Sequence, residues 1–218
     1  SDFLLGFGGG AVVAVFYFLP EKWYSLSRYV RTIGVIAIAG MLTPFALTAV
    51  DEYRSRCDFP LLAGFETSLE LSRWSSVNTI ERVQDPVFVL SGNSSARLNL
   101  APAKYSGASL RYFPKNWQNA LRLVFSVYNP GEPVMLHYRV HDALHRGDRQ
   151  SYGNRFNGTR LLVKGWNTIV VPVEDIKNGP VKRSINLAAI AGFTLFLVDN
   201  REKRILYIDE VRLDLKGE

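Results

Sequence analysis

Histidine, aspartate, tyrosine, asparagine and arginine crowd one stretch of this 218-residue chain: His141-Asp142-Ala143-Leu144-His145, then Tyr152, Asn154, Arg155, Phe156 and Asn157. Asp, Asn and Arg can each engage two neighbouring polar atoms, and an aromatic ring can carry the C–H face of a polyhydroxylated ring. The set therefore suits a sugar, with Asp142, His145, Tyr152, Asn154 and Arg155 as the expected contacts. The same residues could instead cap and solvate a long loop on a rigid scaffold. His141 and His145 stand at a zinc-like spacing, but that spacing aligns ligands only on a helix, and here a strand runs into a loop with no further ligand evident. Zinc is not expected.

Turnover needs more than these residues offer. The carboxylate pairs Glu174-Asp175 and Asp209-Glu210 are adjacent in sequence, and neighbours on a strand point to opposite faces, so neither pair can flank one glycosidic bond. No Gly-x-Ser-x-Gly, phosphate-cradling glycine loop or cysteine beside a histidine is present. Binding without catalysis is the expectation. A protein-interaction or scaffolding module and a hydrolase whose carboxylates the fold alone brings together are the alternatives. No cofactor is required. A structural calcium stays open: Glu66 and Asp209 become neighbours if the terminal strands pair, although such an ion takes about six to eight oxygens. A single cysteine, Cys57, excludes an internal disulfide framework and a four-cysteine zinc site. The formal charge of +6 comes from scattered basic residues rather than a stripe, so nucleic acid is not an expected partner.

The elements that must position these side chains fall into two solvents. Residues 3–19 and 32–50 are uncharged runs, each within the about 17–25 residues that cross a bilayer, and neither has a polar face at helical period. They predict a transmembrane hairpin over 1–50. Gly6 and Gly10 in the first run have a spacing that lets helices approach closely, and Pro44 in the second should kink it. The connecting segment 20–31 holds Lys22, Arg28 and Arg31 against Glu21, with Trp23, Tyr24 and Tyr29 suited to the interface, so it should stay in the cytoplasm and send everything after Val50 outward. The rival is a signal peptide over 22–49, with Ala46 and Ala49 near its cleavage point; the apolar run ahead of it speaks against that. Because Ser1-Asp2 leads straight into an apolar run, the chain reads as the tail of a longer protein.

Beyond a linker over 51–63, the pattern changes to short alternating segments broken by Gly, Pro, Asn and Asp, and residues 64–218 are expected to form an all-β jelly-roll sandwich. Ten strands are expected, at 65–71, 87–90, 96–100, 109–113, 120–128, 134–140, 155–163, 168–173, 192–198 and 205–215. Residues 184–191 read as a helical turn. In the segment 120–128, Leu121, Leu123, Phe125 and Val127 should point one way. In 134–140, His137 and Arg139, with His141 beyond, should form a polar face opposite Leu136, Tyr138 and Val140, as a solvated surface or a ligand face would. Trp74, Trp117 and Trp166 are expected to pack in the core.

Ordered motifs then carry a resemblance. Gly64-Phe65-Glu66, Trp74, Tyr152-Gly153-Asn154-Arg155-Phe156-Asn157, Gly165-Trp166-Asn167, Val171-Pro172-Val173-Glu174-Asp175-Ile176 and Tyr207-Ile208-Asp209-Glu210-Val211-Arg212-Leu213 together resemble galactose-binding-like carbohydrate-binding modules. The resemblance covers the stretch from about residue 64 to 215 and implies a jelly roll with a structural calcium held by residues near both ends, here Glu66 and Asp209. Asp2 with Gly6 and Gly9 in an apolar segment is similar to the last helix of VanZ-like membrane proteins. That likeness implies a protein of the bacterial cell envelope. With the topology above, the expectation is a bacterial cytoplasmic-membrane protein with lipid bilayer around residues 3–50 and the sandwich on the periplasmic or extracellular side, where the sugar-binding resemblance implies glycan or cell-wall polysaccharide as partner.

Overall fold

In the computed structural model, which describes residues 24–76, 78–145, 151–181 and 183–217, the second uncharged run lies inside one continuous helix, α1 (Tyr24–Cys57). The chain divides into two compact units, Ser1–Val50 and Asp51–Glu218. Pro44 lies within the helix without ending it. Two hydroxyls fold back on the helix backbone, Thr43 Oγ1 donating to Ala39 O at 2.7 Å and Thr48 Oγ1 to Pro44 O at 2.8 Å, so neither needs an outside partner. Thr32–Cys57 is long and apolar enough to cross a membrane, and its most apolar window is nowhere buried. Two boundaries need correction. Residues 24–31 are helical rather than part of a loop, and the expected linker 51–63 is the helix end followed by a strand, β1 (Leu61–Ala63). The expected first span, 3–19, lies outside the described residues.

Residues after Cys57 form two antiparallel sheets, as alternation with frequent turn residues demands. The strands are β2 (Trp74–Ser76), β3 (Thr79–Val83), β4 (Ser95–Leu100), β5 (Ala103–Leu110), β6 (Ala120–Asn129), β7 (Val134–Asp142), β8 (Phe156–Leu162), β9 (Gly165–Pro172), β10 (Ile190–Asn200) and β11 (Arg204–Leu215). One sheet runs β3-β4-β11-β6-β9 with β1 added on β11, and the other runs β2-β5-β10-β7-β8. Short helix α2 (Val173–Asn178) follows β9 and buries Val173 and Ile176. The fold is a jelly-roll β-sandwich, as the sequence predicts.

Inward-facing residues of both sheets make the core. Leu123, Phe125 and Val127 of β6 meet Leu136, Tyr138 and Val140 of β7 and Phe193 and Leu195 of β10. Phe125 stands 5.1 Å from Phe193 and edge-on to Tyr138 at 5.4 Å, packing one sheet's inner face onto the other's. Leu121 is a correction: β6 shifts register against Asp214 and Leu215 at its start, which turns Leu121 to solvent. Trp74 and Trp117 are buried as expected, whereas Trp166 is half-buried and edge-on to Tyr128.

Two expected strands are 3-10 turns. Ser68–Arg73 follows Thr67, and Glu70 three residues on turns its carboxylate back to the Thr67 amide at 3.2 Å. The same buried carboxylate accepts the Gly64 and Phe65 amides at 3.0 and 2.8 Å, so this segment closes on itself rather than pairing in a sheet. Pro86–Phe88 begins after Asp85, whose side chain accepts from Val87 N, and the proline favours the start of a turn over a ladder.

Candidate functional site

Strand order places one outward face of the five-stranded sheet under a single open cleft of about 590 Å³. Each strand contributes by period two: Tyr105, Gly107 and Ser109 from β5, Thr194 and Phe196 from β10, and Arg139 from β7, while the residues between them enter the core. Arg111 past the end of β5, Arg155 just before β8, and Ser75 and Ser76 of β2 complete the wall. At the floor, Gly107 faces Phe196 across the β5–β10 pairing; a Cβ there would lie 2.0 Å from Leu195 O, so only glycine keeps the strands together. Phe196 is half-buried, with Tyr105 edge-on at 6.0 Å and His137 stacked at 5.5 Å.

Three arginines border the cleft in the same way. Arg111 Nε donates to Ser75 Oγ at 3.1 Å, Arg139 Nε to Thr194 Oγ1 at 3.2 Å and Arg155 Nε to Asn157 Oδ1 at 3.0 Å. Each guanidinium is thus held by its inner nitrogen to a neutral oxygen. Arg139 also lies over the Phe196 ring at 5.8 Å, and Arg155 over Tyr152 at 5.6 Å. Burial lowers the pKa of Arg139, and the charges of Arg155 and Arg111 lower it further.

The expected sugar contacts fall into different places. Arg155 lines the cleft, and Tyr152 sits exposed beside it. Asp142 does not reach out: its side chain is fully buried and grips Arg183, at 2.6 Å from Oδ2 to Nη1 and 2.8 Å from Oδ1 to Nη2. Burial opposes the charge on Asp142, but Arg183 and the Asn186 and Leu144 amides outweigh it and hold the carboxyl below its ordinary range. Asn154 joins the same knot, its side-chain oxygen and backbone carbonyl both accepting from Arg183. Asp142 and Asn154 therefore fasten the loop that carries Arg155. His145 is half-buried, its ring 5.1 Å from that of His141, and burial with the charge of Arg155 lowers its pKa.

Both carboxylates expected at a calcium site face the same loop, yet each meets amide donors. Asp209 Oδ2 accepts from Leu90 N at 2.8 Å and Ser91 N at 3.1 Å, Oδ1 from Glu210 N at 2.7 Å, and Glu66 Oε1 accepts from Asn93 N at 2.9 Å. Both oxygens of Asp209 and Oε1 of Glu66 thus already accept amide hydrogens, whereas a calcium ion takes about six to eight oxygens. Among the described residues no group of three or more His, Cys, Asp or Glu side chains gathers.

Of the other carboxylates singled out in the sequence, Glu174 is on α2, bonded to Lys177 and Asn178, and Glu210 pairs with Arg212. Neither borders the cleft. The residues that sequence reasoning left out are Tyr105, Gly107, Arg111, Thr194 and Phe196. For Tyr105, Gly107 and Arg111 the signal was alternation in 105–111, which the expected strand 109–113 entered too late; Thr194 and Phe196 lie within the expected strand 192–198, whose pairing with 103–110 no single segment shows.

No protein-family model and no curated sequence matches this chain. Solved structures do. A Family 11 carbohydrate-binding module from Clostridium thermocellum, determined with a beta-1,3-1,4-mixed-linked tetrasaccharide, is 15% identical at a TM-score of 0.54, over 70% of this chain and 93% of that one. The CBM22-1 xylan-binding domain from Paenibacillus barcinonensis Xyn10C is 15% identical at 0.51, over 72% of this chain and 94% of that one. An exo-beta-agarase is 13% identical at 0.56, over 72% of this chain but only 25% of its own. At such identities the likeness is one of architecture: this chain carries the jelly-roll fold found in carbohydrate-binding modules.

Proposed function

We propose that this chain is a membrane-anchored glycan-binding protein, its sandwich holding polysaccharide on the outer side of a bacterial cytoplasmic membrane without turning it over. The observation that carries this reading is the cleft of about 590 Å³, where the rings of Tyr105 and Phe196 stand among serine, threonine and arginine side chains on a sheet of this fold. Stacking faces beside hydrogen-bonding groups are what a sugar ring requires. Of the residues expected from sequence, Arg155 and Tyr152 remain contacts, and His145 is near enough to Arg155 to feel its charge. Binding without turnover is favoured because no carboxylate is among the described residues lining the cleft, whereas glycoside hydrolysis commonly uses a pair of them.

Anchoring rests on α1, whose Ile33, Val35, Ile36, Met41, Leu42 and Phe45 are all more than half exposed. A band of that kind calls for lipid or another apolar partner. Outward orientation follows from the cationic excess at 20–31. A VanZ-like membrane portion belongs to this reading through Asp2, Gly6 and Gly9, which lie outside the described residues.

The test is affinity electrophoresis of the full chain, kept in micelles of a detergent without a sugar headgroup, through gels containing cell-wall and plant polysaccharides. At least one polysaccharide should retard it. If none does, and membrane crosslinking traps a protein instead, the domain is a scaffolding module.

A further inference from the structure

We infer that the polysaccharide held by this cleft is anionic, its sugars bearing carboxylate or sulfate or phosphate ester groups that the arginines Arg111, Arg139 and Arg155 clasp. The inference rests on the glycan-binding reading above and names the ligand class of that same site.

Three observations carry it. The first is charge without an internal partner among the described residues: three guanidiniums border one cleft, no Asp or Glu is among the described residues lining it, and no ion pair there involves any of them. Elsewhere in the protein two arginines are neutralised, although Arg82, whose Nε donates to Ser94 Oγ at 3.0 Å, is not among the described residues' ion pairs. Arg73 is clasped by Asp51 at 2.8 Å and Arg183 by Asp142 at 2.6 Å. The second is geometry. Each cleft arginine is fixed by a bond from Nε to the neutral oxygen of Ser75, Thr194 or Asn157. No hydrogen bond from the terminal nitrogens of these three is found among the described residues, so each keeps the outer edge of its fork, which matches a two-oxygen anion. The third is mutual repulsion. Arg155 and Arg111 both depress the pKa of Arg139, and Arg139, Arg111 and Arg155 all depress that of His141. Like charges gathered at partial burial cost stability, and an oxyanion brought among them removes that cost.

A neutral glucan or xylan would use the rings and hydroxyls but leave the three forks without a charged partner. The combination of Tyr105 and Phe196 with three cations that have no ion pair among the described residues therefore favours a sugar chain over a simple anion, and a charged sugar chain over a neutral one.

The test compares matched polymers that differ only in charge, against the full chain in sugar-free detergent micelles. Polygalacturonate is set against its methyl-esterified form for the carboxylate source, and dextran sulfate against dextran for the ester source. At least one charged member should bind about tenfold or more tightly than its neutral counterpart, and the preference should shrink as salt shortens the Debye length from about 8 Å towards 3 Å. Arg139→Gln and Arg155→Gln should each cost about tenfold, while Lys164→Gln and Arg122→Gln, exposed cations outside the cleft, should stay within about twofold. Circular dichroism and melting temperature confirm that the variants fold, and the polymer comparison needs no variant. Neutral polymers bound as well as charged ones, with salt having no effect, would overturn the anionic ligand and leave glycan binding standing. Equal losses from the control variants would also overturn it, because the whole protein's charge would then be responsible. If no polymer binds at all, the glycan-binding reading fails and this inference falls with it.

Discussion

Asp142 illustrates how residue type and residue role separate. Its chemistry suits a sugar hydroxyl, but a carboxylate with no exposed surface, held by both arms of Arg183 and two backbone amides, is a fastener. Removing one member of a buried ion pair leaves the other desolvated and unmatched. Asp142→Ala should therefore lower unfolding free energy by about 3–5 kcal/mol. Chemical denaturation checks this, and a loss below about 1 kcal/mol would return Asp142 to a surface role. His141 makes a second prediction at this scale. Burial first, and then the charges of His145, Arg139, Arg111 and Arg155, pull its pKa down to about 4. An unfolded chain binds that proton near the ordinary histidine value of about 6.5. Between those two values the unfolded state holds more protons than the folded state, so stability must fall as pH drops through the window. Discounted for the imidazole's partial exposure, the loss should be about 1 kcal/mol, read as a fall in melting temperature from pH 6.5 to 4 that His141→Asn reduces. A slope unchanged by that substitution would assign the effect to other groups.

Elements explain why part of this was legible in the sequence and part was not. Long strands β6, β7, β10 and β11 run through several alternations, and the polar row His137, Arg139, His141 was visible because its neighbours Leu136, Tyr138 and Val140 are apolar. Strands β1 and β2, of three residues each, are too short to display a period. Which strands become neighbours is decided by non-local pairing, so the convergence of Arg111, Arg139 and Arg155 from three elements could not be read from one segment. The stretch 65–71 misled because Leu69 and Leu71 mimic alternation, although Thr67 and Glu70 carry the spacing of a capping box. The loop 90–93 yields a prediction here. It is held by Asp209 and Glu66 through backbone amides. Chelation should leave the melting temperature of the full chain unchanged, whereas Asp209→Ala, which orphans three amides, should cost about 1–3 kcal/mol or more. A melting temperature that fell on chelation and recovered with added calcium would assign Glu66 and Asp209 to a cation after all.

At the scale of the whole molecule, two kinds of surface demand two environments. The sandwich buries its apolar residues between its own sheets, whereas the helix shows solvent a continuous band that includes Ile33, Ile36, Met41 and Phe45. Burying such side chains is worth about 1.5–3 kcal/mol each, so several together exceed what a water-exposed helix could forgo. The hydroxyls of Thr43 and Thr48 already bond within the helix, which removes their cost in hydrocarbon. Charge at the two ends is unequal: Lys22, Arg28 and Arg31 face only Glu21 before the uncharged run, while Asp51, Glu52 and Asp58 outnumber Arg54 and Arg56 after it. Positive flanks are retained in the cytoplasm, so the sandwich should emerge on the opposite side. In a bacterial host the full chain should resist alkaline carbonate extraction. A periplasm-dependent reporter fused after Glu218 should be active, and replacing Lys22, Arg28 and Arg31 with glutamine should reduce that activity severalfold by weakening the charge bias. Release by carbonate would remove the bilayer from this reading. Activity from a cytoplasm-dependent reporter alone would reverse the topology, and with it any meeting between the cleft and polymers outside the cell.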